Sequence, residues 1–168
     1  MPILRTGLSV RGKILFHAAE DWFEQAVAHE KADRLEAAVA AYREALAQRP
    51  DFAEAWFNLG NVLRDAGLLD DAEECFRNAV RHRPILAVGW YNLGELLAEA
   101  RRLDVAIACL GKAAALEPDY ADAHFNLAQC LEWVGRIADA QRHWRRYLAL
   151  DSDSPWAAIA RRHLARSS

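Results

Sequence analysis

Trp56, Leu59, Gly60 and Leu63 stand at i, i+3, i+4 and i+7, a spacing that puts them on one face of a helix. Gly67 follows near the end of that face, where a left-handed residue stops a helix. Ala72, Cys75, Phe76 and Ala79 then mark a second helical face, and Pro84 prevents its continuation. The pattern predicts a helix–turn–helix hairpin in which the small Gly60 and Ala72 let the helices approach while Trp56 and Phe76 fill the space around them. The same columns return every 34 residues: Pro50, Pro84 and Pro118; Trp22, Trp56 and Trp90; Phe57, Tyr91 and Phe125; Asn58, Asn92 and Asn126; Ala38, Ala72, Ala106 and Ala140. A period of this size without insertions means an array of stacked repeats.

Helix pairs are predicted near 19–32 and 34–48, 53–66 and 69–82, 87–100 and 103–116, and 121–134 and 137–150. A ninth helix follows, with Ser154 as its cap, Pro155 in its first turn and Trp156, Ile159, Ala160 and Leu164 as its apolar stripe. It is expected to cover the open end of the fourth repeat and to leave Arg161, Arg162 and Arg166 in water. Where Gly67 and Gly135 end two of the first helices, the third repeat has Arg101, which costs about 1 kcal/mol if forced left-handed.

The unit W-x2-L-G…A-x3-F-x2-A…P, carried by Trp56, Leu59, Gly60, Ala72, Phe76, Ala79 and Pro84, resembles the tetratricopeptide repeat (TPR). The third unit matches through Trp90, Leu93, Gly94, Ala106, Leu110, Ala113 and Pro118. The first keeps Trp22, Ala26, Ala38, Tyr42, Ala45 and Pro50 but departs at Gln25 and His29. The fourth has His124 in the Trp column, Ala128 for Gly, Tyr147 for Ala and Ser152 where proline would fall, as atypical terminal repeats do. The resemblance implies an all-α fold: a right-handed α-solenoid of four hairpins (19–52, 53–86, 87–120 and 121–154) plus a C-terminal capping helix and tail (155–168). Residues 1–18 lie outside the repeats. Ile3, Leu4, Leu8, Val10, Ile14, Leu15 and Phe16 mark a segment that packs somewhere, either over the first repeat or against a second chain.

Composition agrees with a helical chain. There are 34 alanines, against 15 valines, isoleucines and threonines together, the residues strands favour. The serines and Thr6 lie near the two ends, which excludes a serine nucleophile in the body of the chain. Cys75, Cys109 and Cys130 form no CxxC pair and no even disulfide framework, as suits a reducing compartment, and no apolar run is long enough for a membrane span. A cytoplasmic protein is expected. The six histidines show no HExxH spacing, and no glycine-rich phosphate loop occurs. Cys75, Cys109 and His143 share one repeat column, yet equivalent helices of neighbouring repeats are about 10 Å apart, so the cysteines read as small buried hydrophobes rather than a metal or redox line. Asp70, Asp71, Glu73 and Glu74 read as solvated charge. No enzyme activity, cofactor or metal is expected.

What remains is surface. In this family the first helices line the concave face, so the resemblance places Phe23, Phe57, Tyr91 and Phe125 as an aromatic ladder there. Asn58, Asn92 and Asn126 run beside it, with Asn61, Glu95 and Gln129 one turn on, offering donors and acceptors to the backbone of a bound peptide. Glu20, Glu24, Glu54, Asp65, Glu95, Glu99, Asp122 and Glu132 outnumber Lys31 and Arg64 on these helices, which favours a neutral or basic segment. Family members that grip a chaperone's C-terminal carboxylate use a Lys/Asn/Arg clamp. Its columns here hold Phe23, Val27, Asn58, Val88 and Asn92, so such tails are not the expected ligand.

The leading expectation is a non-enzymatic scaffold that binds a protein or peptide in this groove. A second is a regulatory or partner module, since the two ends of the repeat array look similar to repeat modules of bacterial proteins, some of them joined to MerR-like DNA-binding domains. A third rests on charge: residues 136–168 carry a balance of +4 and the rest −7. Arg142, Arg145, Arg146, Arg161, Arg162 and Arg166 form a candidate basic patch for an anion or nucleic acid, or for self-association with the acidic body of another copy. The patch lacks the interleaved aromatics that stack on bases, so nucleic acid is not the expected partner.

Overall fold

Each hairpin turns at the position the glycine column marks, and the turn has the same geometry all four times. The residue there is left-handed: Asp33 (φ 56°), Gly67 (76°), Arg101 (60°) and Gly135 (79°). The following amide reaches back five residues to a carbonyl, as Leu68 N–H does to Leu63 O (2.9 Å) and Arg102 N–H to Leu97 O (2.9 Å), satisfying a group the helix end leaves open. Arg101 is left-handed like the glycines of its column, which costs a non-glycine residue about 1 kcal/mol, and its guanidinium lies 4.6 Å from the ring centre of Trp133.

A computed structural model describes residues 10–166, with side chains from residue 17 onward. Among these the regular elements are all helical: α1 (Val10–Lys31), α2 (Leu35–Gln48), α3 (Ala53–Asp65), α4 (Leu69–His82), α5 (Ala87–Glu99), α6 (Leu103–Leu116), α7 (Ala121–Trp133), α8 (Ile137–Leu150) and α9 (Pro155–Arg166). They pair as α1/α2, α3/α4, α5/α6 and α7/α8, with α9 packed on α8, an all-α solenoid built from helical hairpins. The chain divides between His82 and Arg83 into two compact units, one holding α1–α4 and the other α5–α9.

Two expectations need correction. The first helix begins at Val10 rather than near residue 19. Nothing from Val10 to Ala18 stops it: the run has no proline, and Gly12 costs only about 1 kcal/mol in a helix. Residues 1–9, half of the segment placed outside the repeats, lie outside the described residues. Glu73, read as solvated, is 7% exposed. The periodicity around Ala72, Cys75 and Phe76 puts position 73 at the edge of the buried face, and an ion pair with Arg77 one turn on holds its carboxylate there.

The close approach of helices shows at Gly60, where a Cβ would lie 2.7 Å from Cε1 of Phe76. The Trp column does a second job besides filling space. Trp56 donates its indole N–H to the Pro50 carbonyl (2.8 Å), and Trp90 does the same to Pro84 (2.9 Å). His124, which replaces the tryptophan in the fourth hairpin, keeps that bond through Nε2 to the Pro118 carbonyl (3.0 Å).

Ser154 caps α9 as expected, its Oγ accepting from Ala157 N–H (3.3 Å). The helix docks differently from expectation, through Ala157 and Ala160, while Trp156 stands 58% exposed. Glu132 ties α7, α8 and α9 together. Its Oε1 accepts from Trp144 Nε1 (2.9 Å), and its Oε2 lies 2.6 Å from His163 Nδ1.

Candidate functional site

In the unit α1–α4, Phe23 packs on Phe52 (ring centres 4.8 Å) and Tyr42 (5.8 Å), and Phe57 on Phe76 (6.0 Å). Arg49 lays its guanidinium 3.3 Å above the Phe52 ring and reaches Glu20 at 3.6 Å. Asn58 gives its side chain to the Tyr42 hydroxyl. Phe57, Asn58 and Asn61 are all half-buried. The first-helix residues of this unit are therefore largely committed to neighbours within it.

The unit α5–α9 gathers four of the ten groove candidates around one cavity. Tyr91 and Glu95 from α5, and Phe125 and Asn126 from α7, line a pocket of about 320 Å3 together with Asp122, Tyr147 and Trp156. Tyr91 donates to Glu95 Oε1 (3.0 Å), and Asn126 Nδ2 donates to the Tyr91 oxygen (3.1 Å). The Tyr91 ring leans on Tyr120 with centres 4.9 Å apart. Burial, and then the Glu95 carboxylate, push the Tyr91 hydroxyl well above its usual range, so it stays a protonated donor. Burial together with Asp122, Glu117 and Glu95 pushes Tyr120 up to about 12. Both tyrosines sit in a negative field.

Phe125 departs from the surface ladder. It is 8% exposed and packs edge-on against Trp144 (4.9 Å), Tyr147 (5.1 Å) and Trp156 (5.7 Å), because α9 brings its indole over it. It is the floor of the pocket rather than a projecting contact. Asn92, at 6% exposure, is buried, and Gln129 is half-buried. Glu132 serves the α9 junction instead of adding to an acidic groove. The pocket residues missing from the sequence-derived ladder are Asp122, Tyr147 and Trp156. Asp122 was visible there only as one of many acids, and the other two belong to the second helix and the cap, where a first-helix ladder does not look.

The Asp151 carboxylate accepts from the Ser154 and Tyr147 hydroxyls and from the Ser154 amide, which holds it down to about 2. Of the basic patch, Arg142 pairs with Asp139, Arg146 with Asp119 and the Pro118 carbonyl, and Arg161 donates to the Ser152 carbonyl. Arg145 reaches Gln141, while Arg162 and Arg166 are exposed. Four of the six cations are thus turned onto acceptors of this chain.

His124 and His143 stack with ring centres 5.2 Å apart and share a 2.9 Å contact between their Nδ1 atoms. Because His124 donates Nε2–H to Pro118, its Nδ1 is left to accept and His143 Nδ1–H donates. Burial holds both histidines below their ordinary range. The three cysteines are buried and none is in a disulfide, and burial pushes Cys75 up to about 12 and Cys130 to about 11, far from a reactive thiolate. Among the described residues no group of three or more metal-ligating side chains comes together. No helix among them is long and apolar enough to cross a membrane.

Helical hairpins joined by Schellman turns, with small residues at the crossing, define a class of repeat protein. Sequence models of the tetratricopeptide repeat match residues 23–85 and 91–162, and the chain belongs to that family. No curated protein matches the chain. Solved structures do. A MamA protein superposes with a TM-score of 0.79 at 21% identity, over 90% of this chain and 86% of that one. YrrB, described as a TPR protein with an unusual peptide-binding site, gives 0.80 at 23%, over 95% and 82%. A tetratricopeptide repeat protein from Parabacteroides merdae gives 0.80 at 16%, over 90% and 60%. At these identities the likeness is one of fold. Tetratricopeptide repeats are in general non-enzymatic protein-interaction modules, and this chain is a protein-interaction scaffold.

Proposed function

We propose that the scaffold binds a neutral to basic protein or peptide segment on the first-helix side of the unit α5–α9, without catalysis of its own. The observation that carries this is the cavity among α5, α7, α8 and α9, where aromatic rings, an amide and two carboxylates converge. An aromatic-rich concavity with a few placed polar groups is the usual form of a recognition site. The peptide-binding description of YrrB, a protein of similar fold, points the same way. In this reading the repeats run 19–52, 53–86, 87–120 and 121–154, residues 155–168 are the cap, and residues 1–18 fall outside the repeats, with 10–18 as the leading turns of α1. Three buried cysteines without a disulfide suit a reducing cytoplasm.

A nucleic-acid or anion role for the C-terminal arginines has less behind it, since Arg142, Arg146 and Arg161 already serve acceptors of their own chain. The reading is tested by crosslinking in the native cell followed by affinity capture of the full chain. Trp156→Ala and Asn126→Ala are expected to lower partner yield several-fold while circular dichroism stays at wild type. Undiminished capture by both variants places the partner on another surface.

A further inference from the structure

The first and last hairpins can be laid column on column. Glu20 and Phe23 in α1 correspond, at three periods of 34 residues, to Asp122 and Phe125 in α7. In the first hairpin this carboxylate ion-pairs with the Arg49 guanidinium at 3.6 Å, and the guanidinium stacks at 3.3 Å on Phe52, which packs in turn on Phe23. In the last hairpin the carboxylate and the aromatic recur, but the column of Arg49 holds Asp151, whose carboxylate is bound to Tyr147 and Ser154. The column of Phe52 holds Ser154, and the ring that packs on Phe125 comes two residues later, from the exposed Trp156. A second carboxylate, Glu95, lines the same cavity. The last hairpin thus repeats the aromatic and acidic parts of an arginine site and lacks the arginine.

Resting on the reading of this face as a peptide site, we infer that the pocket lined by Glu95, Asp122, Phe125 and Trp156 takes an arginine side chain from the bound partner. The planar guanidinium stacks on the Trp156 indole while its N–H groups face the two carboxylates, which is the combination Arg49 already makes with Phe52 and Glu20. At about 320 Å3 the cavity lies at the small end of ligand pockets and suits one long side chain. The carboxylates that add to burial in raising Tyr91 and Tyr120 supply the field a cation enters. The chain's own basic end does not fill the site: Arg161 is turned to the Ser152 carbonyl.

The test uses the full-length 15N-labelled chain and two capped tripeptides, Ala-Arg-Ala and its citrulline counterpart, which has the same shape without the charge. The arginine peptide is expected to shift the Trp156 indole resonance, identified through Trp156→Phe, in a saturable way, with citrulline binding about tenfold weaker. Asp122→Asn, at an exposed position, is expected to weaken arginine binding about threefold, and added salt to weaken it further. Equal binding of both peptides at Trp156 overturns the arginine preference and leaves the peptide site standing. Saturable shifts confined to residues elsewhere, or none at all, overturn the pocket itself. The crosslinking experiment judges the broader reading independently, because its Asn126→Ala arm does not depend on the charge of the ligand.

Discussion

The first and fourth hairpins solve the helix-crossing problem differently from the second and third. In the middle pair the crossing position is glycine, Gly60 or Gly94, and the residue packed on it is Phe76 or Leu110, so near that a Cβ would meet it at 2.7 Å. In the end pair the crossing position is alanine, Ala26 or Ala128, and the facing residue is Tyr42 or Trp144, larger than its counterparts. The end hairpins add a tether that the middle ones lack. Tyr42 donates to Glu30 (2.7 Å), and Trp144 donates to Glu132 (2.9 Å), each acceptor twelve residues earlier in the chain. The same column in the middle hairpins holds Arg64 and Ala98, opposite rings or branches with no polar atom to offer. A ring fixed at its polar edge leaves space for a methyl group at the crossing, whereas an untethered one settles onto bare backbone. The identity of the small residue is therefore set by the chemistry of the large one.

Four experiments break or sharpen this contrast. Trp144 is fully buried and holds both a carboxylate and the α9 histidine, with which it stacks at 5.0 Å. Trp144→Ala is expected to cost about 3–5 kcal/mol in urea unfolding, and to release α9 as judged by amide exchange of residues 155–166. Gly60→Ala comes next. Overpacking against Phe76 costs about 1–3 kcal/mol, whereas Gly111→Ala in α6, where a Cβ meets nothing within 4 Å, gains about 0.5–1 kcal/mol from helix propensity. Equal effects at the two glycines would remove the crossing argument.

The third concerns the Trp column, where the fourth hairpin again differs. Because burial depresses His124 and His143 below 6.5, the unfolded chain binds protons more readily than the folded one as pH falls. Stability is full above about 6.5 and is lost as pH drops through the lower folded values; Arg142 and Arg146 oppose protonation while Asp119 and Asp139 favour it. Replacing the pair by the combination of the middle hairpins, His124→Trp with His143→Cys, is expected to flatten the dependence of the urea midpoint between pH 7.5 and 5. A slope unchanged in that double variant assigns the pH effect to other groups. The smallest effect is Tyr42→Phe, which removes the hydrogen bond to Glu30 and the one from Asn58 and costs about 1 kcal/mol.

Much of this was legible in the chain because a repeat states each packing rule several times. The hairpin helices, the left-handed Arg101 and the Ser154 cap all follow from local rules that periodicity makes visible. Departures from the pattern were harder to read. His124 counts as a lost tryptophan in a column comparison, yet it keeps the bond to the proline carbonyl, because that bond needs only an N–H at the right reach. Phe125 has the column of a groove residue, but α9, which belongs to no repeat, covers it. The exposure of Trp156 depends on Ala157 and Ala160 taking the buried side of α9, a choice the apolar spacing alone does not make. The pocket was therefore half legible: its α5 and α7 residues lie in repeat columns, and its remaining wall comes from where the repeat ends.

The pairing of small and large residues also says where such a chain tolerates recombination. Ala128, Glu132 and Trp144 depend on one another and lie in one hairpin, as Gly60 and Phe76 do in theirs. A splice at the left-handed turns separates these partners and would place a glycine under a tethered ring, or a methyl under a free one. A splice just before the proline column separates none of these partners, and the bond from the Trp column to the proline carbonyl stays whole on one side of it. Hairpins of this protein are exchangeable as whole cassettes, and their individual helices are not.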